Sequence, residues 1–392
     1  MPLPADGMRI LVVSKSFPSE INHVDGIFIL RQVLALRDLG HDVAVLRVVP
    51  LAPPIGTKWH QYRALGTAYR YEGIDVSVQR TLFLPGLRNL EHLHAQTGGL
   101  MRRAIARFRP DVVHAHYVQP AGSIAVSRGR PTVITSHGID AYDWPFRREG
   151  LRRDATHTLK RADVVVGVSR FIADSLRQLV DRDIEVVFNG ADARIFGNPD
   201  RARAREKLAI RSEEPVLAFV GHLVREKGIF DLAAALSRLG RPPLVLVAGD
   251  GESREEFAAA LGGAGIAARF YGYVRPEMTA TILAAADAVT LPSHYEGLPV
   301  SICEAMLSAR PVVATTVGGI PEIVKDHQTG LLAAPRDVEA LSVLYAEILA
   351  DRPKAAAMGE KAQAFAREQL TWEANARAYD RLYRRLVKEC AA

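Results

Sequence analysis

Short apolar runs of strand length alternate with helical patterns along almost the whole chain. That rhythm argues for an α/β architecture of parallel sheets flanked by helices. In the first half, strands are expected at residues 9–13, 42–48, 75–79, 111–116, 132–136, 164–168 and 185–188, with long helices at 27–39 and 87–108. In the second half, strands are expected at 216–221, 244–248, 269–273, 288–291 and 312–315. The polar, proline-punctuated stretch from Asn198 to Lys207 reads as a linker and cap, and a last helix is expected at about 372–390. Neither an internal repeat nor a low-complexity segment interrupts the pattern.

A chain of 392 residues suits two domains better than one. Its 24% charged and 48% hydrophobic residues describe an ordinary soluble protein, and no run approaches the ~18 apolar residues of a membrane span. The segment from Met1 to Gly7 lacks the basic and apolar regions of a signal peptide. Two cysteines, Cys303 and Cys390, offer no disulfide framework, so a cytoplasmic location is the expectation. The net charge of +6 is uneven, with 25 Lys+Arg against 18 Asp+Glu in residues 1–190 and 25 against 26 in the remainder. This excess suits peripheral contact with an anionic membrane or attraction to an anionic acceptor. A solvated, arginine-rich surface accounts for it equally well. A nucleic-acid partner is not expected.

The most informative residues are Glu296 and Glu304, which bracket Gly297, Leu298, Pro299 and Val300. Pro299 suits a first helical position, where no N–H is needed and its φ is already helical. The amides of Leu298, Val300 and Ser301 then lie at a helix start, where they and the dipole can hold a diphosphate. Glu304 would follow roughly 7–8 Å further along the helix. A nucleotide sugar has the same layout: sugar hydroxyls, a diphosphate, then ribose hydroxyls. Two glutamates at this spacing are more often a solvated helix face, but the turn between them and the residues that follow favour a site. That helix is expected to end near Ala309, a buried strand follows Pro311, and a Gly318-Gly319 turn opens another helix at Pro321.

Other residues point the same way. The run from Gly221 through His222 and Arg225 to Lys227 and Gly228 follows a strand and opens a helix. A lysine there, beside glycine amides, suits a departing diphosphate. His137 and Asp140 close a strand of the first half. His114 and His116 alternate along a strand end, so only one can share a given face. His116 with Tyr117 is the better acceptor-side candidate. These histidines lack a carboxylate or cysteine partner at metal-ligand spacing. Gly26, before the first long helix, would let backbone approach a phosphate or the acceptor. Gly26, His137, Gly221, Lys227, Gly249 and Glu296 all lie in or just after loops that follow strands, the usual ligand edge of such sheets. Two other motifs fail. Gly249 and Gly251 lack the third glycine of a nicotinamide fingerprint, and Asp181 with Asp183 precedes a strand instead of following one.

The stretch from Pro292 to Gly330 resembles the donor-site signature of the retaining glycosyltransferases of family four, which have the GT-B fold. That resemblance implies two Rossmann-like domains facing across a cleft: residues 1–190 plus about 373–392 on the acceptor side, and 191–372 on the donor side. The C-terminal helix is expected to cross back to the first domain. It implies that Glu296 contacts the transferred sugar, Glu304 the ribose, and the backbone of Gly297 to Val300 the diphosphate. Lys227 matches the family's diphosphate lysine. His222 stands where the family commonly has arginine, and Arg225 would replace that arginine or face solvent. The resemblance also sets His137 against the donor sugar, with Asp140 beside it. Gly249 and the Val274 backbone would line the base pocket, and Asn189 and Gly190 would form hinge and cleft wall.

The expected reaction is transfer of a sugar, with retention, from a nucleoside diphosphate to a hydroxyl of a glycan, lipid-linked intermediate or small metabolite. No metal and no cofactor are expected. The early part of the chain, from Ser14 to the Asp25-Gly26-Ile27-Phe28 helix start, resembles family members that build bacterial surface polysaccharides. Rival readings are a GT-B-fold nucleotide-sugar epimerase and a non-catalytic nucleotide-sugar-binding protein.

Overall fold

The computed structural model describes residues 7–51, 60–81, 90–126 and 129–391. Residues 87–89 of the expected long helix and residues 1–6 lie outside the described residues. The chain divides into two compact units, Met1–Val187 with Asn375–Ala392, and Phe188–Ala374.

The first unit is built on an eight-stranded sheet. Its strands are β1 (Arg9–Ser14), β2 (Asp42–Pro50), β3 (Ala68–Tyr71), β4 (Ile74–Thr81), β5 (Val112–His116), β6 (Thr132–Ser136), β7 (Val164–Gly167) and β8 (Glu185–Val186). They lie in the order β3-β4-β2-β1-β5-β6-β7-β8. Every residue of β5 and β6 is buried, as expected where helices cover both faces of a parallel sheet. One strand departs from the parallel pattern. β3 pairs antiparallel with β4 through a tight turn at Glu72 (φ 45°) and Gly73 (φ 82°). Two successive positive φ values match the right-handed twist of a hairpin, so a local turn adds an edge strand that needs no helix.

The second unit carries a six-stranded sheet of β9 (Val216–Val220), β10 (Leu244–Ala248), β11 (Ala268–Gly272), β12 (Ala288–Leu291), β13 (Val312–Thr315) and β14 (Gly330–Ala333). The order is β11-β10-β9-β12-β13-β14, parallel throughout. The edge strand β14 was not anticipated, because four residues headed by glycine carry little strand signal.

One expectation needs correction. The supposed linker is a helix, Arg201–Lys207, embedded in the second unit. Its Arg205 is buried, bonded to Asp287 at 3.0 Å and to the carbonyls of Ala285, Arg211, Ser212 and Glu214. A polar composition concealed a guanidinium that is fully used inside the fold. The units instead part at Val187 and Phe188.

The last helix, Trp372–Ala391, belongs to the first unit from Asn375 onward. Ala376, Tyr379, Leu382, Tyr383 and Leu386 form its buried stripe. Polar anchors supplement that stripe. Gln32 Nε2 donates to Asn375 Oδ1 at 2.8 Å, the Tyr379 hydroxyl lies 2.7 Å from Thr135 Oγ1, and the Tyr383 hydroxyl lies 2.7 Å from His114 Nδ1. Among the described residues, no helix is long and apolar enough to cross a membrane.

Candidate functional site

Each unit carries a cluster of chemistry-bearing residues where its strand order reverses. In the second sheet the chain moves outward from β9 through β10 to β11, then returns to lay β12 on the other side of β9. The loops leaving β9 and β12 therefore diverge, opening a crevice at their carboxyl ends. Lys227 follows β9 and Glu296 follows β12. The Lys227 Nζ lies 2.5 Å from Glu296 Oε1. The same oxygen accepts from Ser293 Oγ at 2.8 Å, and the glutamate is buried. Two charge-assisted or hydroxyl donors thus hold one carboxylate oxygen.

Close backbone contacts bring these loops together. A Cβ on Gly228 (φ 68°) would lie 1.8 Å from the carbonyl oxygen of Pro292, so only glycine lets the lysine loop meet the end of β12. Gly318 (φ 57°) does the same for the other side, where a Cβ would come within 2.0 Å of the Glu296 carbonyl oxygen. Next to it, the Gly319 amide donates to the Gly297 carbonyl at 2.8 Å. Asn189 Nδ2 donates to the Leu298 carbonyl at 3.0 Å, so this asparagine braces the glycine-proline turn.

Pro299 is the cap, not the first helical residue. Its φ/ψ of −74° and 123° is extended, and the helix is Val300–Leu307. A proline fits there for the same reason, since no N–H is required. Among the described residues, the amides of Leu298, Val300 and Ser301 donate to no loop or turn carbonyl, leaving the donors of this helix start for a ligand. Glu304 sits one turn into that helix, half-buried.

The remaining donor-side candidates fall into place differently. Lys227 ends a short 3-10 turn, Arg225–Lys227, with the main helix beginning at Ile229. Exposed Arg225 bonds Glu256 at 2.6 Å and lies over the Phe230 ring, so its charge is engaged away from Glu296. His222 is exposed, with Nδ1 2.8 Å from the Tyr273 hydroxyl and the two rings nearly parallel. Gly249 (φ 143°) has a structural cause, because a Cβ there would lie 1.8 Å from the Gly221 carbonyl oxygen. Val274 follows β11 in the loop before the helix Pro276–Ala285.

In the first unit the strand order reverses between β1 and β5. Beyond these ends His116 and His137 stack at 5.1 Å, with Nδ1 of the first 2.9 Å from Nε2 of the second. His114 packs against His116 from behind, its ring centre 4.4 Å away and tilted by 31°. Burial, reinforced by neighbouring charge, pushes His114 and His137 down to about 3 and His116 well below its usual value. Near neutrality all three are uncharged imidazoles. His116 Nε2 and His137 Nδ1 are buried with no hydrogen-bond partner. His116 and His137 stack face to face, and among the described residues no group of three or more His, Cys, Asp or Glu could hold a metal ion.

Tyr117 packs on His137 at 5.2 Å and holds a φ of 75°, a strained value for a residue with a side chain. The Asp140 carboxylate accepts from the amides of Val118 (2.9 Å), Gly138 (3.0 Å) and His137 (3.3 Å). Its work is to tie the loop after β5 to the loop after β6. Gly26 (φ 72°) is likewise explained locally, since a Cβ would lie 2.7 Å from the Ser16 backbone. The sequence reading missed Ser293 and Lys15. For Ser293 and Lys15 the available signal was position alone, a polar residue just beyond a buried strand.

Comparison with known proteins agrees with this layout. Residues 26–194 match the model of Glycosyltransferase Family 4, and residues 200–365 that of Glycosyl transferases group 1. A glycogen synthase of Mycobacterium tuberculosis is 30% identical over 405 residues, covering 96% of this chain and 94% of that protein. A Bacillus subtilis protein, TuaC, assigned as a teichuronic acid biosynthesis glycosyltransferase, is 29% identical over 86% of this chain and 87% of its own. Among solved structures, sucrose-phosphate synthase from Thermosynechococcus elongatus superposes with a TM-score of 0.79 at 22% identity, covering 97% of this chain and 100% of that one. Anabaena HepE in complex with UDP gives 0.75 at 20% identity, covering 96% and 100%. These two likenesses establish the GT-B fold.

Proposed function

We propose that this chain, which belongs to the family-four glycosyltransferases, moves a sugar from a nucleoside diphosphate to an acceptor hydroxyl with retention and without a metal. The observation that carries this reading is the Lys227–Glu296 pair at the mouth of β9 and β12, beside unpartnered amides of a helix start. A cation and a set of amides suit a diphosphate, and a buried carboxylate suits a sugar hydroxyl.

On this reading the diphosphate takes Lys227 and the amides of Leu298, Val300 and Ser301. Glu296 then accepts from the transferred sugar, and Glu304 from the ribose. The bond from the anomeric carbon to the phosphate oxygen breaks, and the bond to the acceptor oxygen forms on the same face. The acceptor proton passes to the departing phosphate oxygen. Lys227 lowers that barrier because it meets the charge that grows on the leaving group. No side chain is required as the base. The acceptor side lies with the first unit, at His116, Tyr117 and His137.

The named relatives include a glycogen synthase and a teichuronic acid biosynthesis glycosyltransferase, which supports a growing glycan as acceptor. HepE, solved with UDP, supports a nucleotide-linked donor. The test is a thermal-shift screen over UDP-, GDP-, ADP- and CDP-sugars, followed by NMR of the product anomer. One donor should raise the melting point by mass action and give a product of unchanged anomeric configuration. Inversion, or stabilisation by none of the four, would sink the reading.

A further inference from the structure

The switch point of the first sheet holds a feature that the donor chemistry does not use. Lys15 is the first residue after β1, and Tyr117 the first after β5. The Lys15 ammonium lies 4.6 Å from the Tyr117 ring centre and 4.5 Å from that of Trp144, which follows β6. Two aromatic faces therefore hold one half-buried cation and displace much of its water.

Such a cation usually has a carboxylate partner. Among the described residues no carboxylate oxygen comes within 4 Å of the ammonium. The two nearby acids are occupied. Asp25 pairs with Arg47, whose Nη2 is 2.6 Å from its Oδ2. Asp140 is bonded to the three backbone amides described above. Burial lowers the Lys15 pKa, while Asp140 and Asp25 act at longer range to raise it. A structural lysine gains little from this position, because it loses hydration without gaining a salt bridge. An anion arriving from solvent would complete it.

We propose that Lys15, held between Tyr117 and Trp144, is the anion-binding residue of an acceptor subsite, and that the acceptor carries a phosphate or carboxylate close to its accepting hydroxyl. This rests on the reading of the first unit as the acceptor side. Lysine acts here as a point charge, so it selects for negative charge more than for the geometry of the anion. The neutral His137 ring, tilted against Tyr117 at 5.2 Å, would lie alongside an uncharged part of the acceptor.

The test is saturation-transfer NMR on the full chain with glucose 6-phosphate, glucuronate and glucose. At least one of the anionic sugars should bind about tenfold tighter than glucose, the scale of one charge-assisted contact. Preference for the phosphate alone identifies a phosphorylated acceptor, and preference for glucuronate alone identifies an acidic sugar. Lys15→Met should abolish the preference and Lys15→Arg should retain it, with melting temperatures verifying that both are folded. Trp144→Leu, which opens the cage but keeps the charge, should weaken the preference. Equal binding of the three sugars by the wild-type chain, or a preference that survives Lys15→Met, overturns the proposal. The donor screen is a separate measurement on the other unit, so its failure would strike the donor reading and leave this comparison intact.

Discussion

The ammonium of Lys227 and the carboxylate of Glu296 lie 2.5 Å apart, each supplied by one of the two strand ends where the second sheet reverses its order. Each charge holds the other until a ligand arrives. A diphosphate would draw the lysine toward phosphate and release the glutamate to accept from a sugar hydroxyl. One contact would thus be exchanged for two, both belonging to the donor.

Glu296→Gln should lower kcat by about a hundredfold or more while donor Kd changes by only a few-fold, because the loss falls on charge met in the transition state. Lys227→Met should lower kcat comparably and also weaken the donor. Glu304→Ala should raise nucleotide Kd by about tenfold and affect kcat less. Single-turnover kinetics with titration of the nucleotide separates these patterns, and wild-type behaviour in all three variants would remove the site from consideration.

Ser293 touches no ligand on this reading and acts through the glutamate. Ser293→Ala removes the 2.8 Å bond to Oε1 and should reduce kcat about tenfold, the cost of roughly one hydrogen bond. Ser293→Thr should rescue part of the loss. Unchanged kcat in the alanine variant would show that Lys227 alone orients the carboxylate.

Gly318→Ala and Gly262→Ala should shift the melting temperature in opposite directions. At Gly318 the Cβ meets the Glu296 carbonyl at 2.0 Å and the φ is 57°, so about 2 kcal/mol or more is lost. Gly262 is helical with nothing within 4 Å, where alanine is favoured by up to ~1 kcal/mol. Differential scanning calorimetry reads both, and Gly318→Ala should also impair donor binding.

The buried histidines should make the first unit sensitive to acid. His114 and His137 titrate near 3 when folded, below the ~6.5 of an unfolded chain. Between these values the unfolded state binds more protons, so stability is lost as the pH falls below about 6.5 and the loss continues toward 3. Urea melts at pH 7.5 and 5.0 should show the weaker fold at pH 5.0. His137→Gln should flatten that dependence by up to one proton, about 1.4 kcal/mol per pH unit. A slope identical to wild type would mean that this imidazole is hydrated and already protonated at pH 5.

Strand and helix periodicity can be read residue by residue, because parallel strands covered on both faces are continuously apolar and their crossovers carry the helical period. For the same reason β3 and β14 escaped notice: one depends on a two-residue turn and the other is four residues long. Glu296 and Lys227 could be singled out from their loops, which follow strands and are marked by glycine or proline, and Glu304 from its place one turn into the helix after Pro299. The misreading of Asn198–Lys207 as a linker shows the limit of composition. Whether a polar run is solvated or buried depends on what folds against it.

The sequence alone determined the two-unit α/β plan, the family, and which loops gather charged residues beside glycine and proline, because these follow from local patterns. Only the tertiary structure decided which groups meet. Lys227 and Glu296 are 69 residues apart, and their pairing follows from β12 returning beside β9. Lys15 reaches Tyr117 because β5 returns beside β1 in the same way. Strand order is a non-local property, and these contacts inherit it.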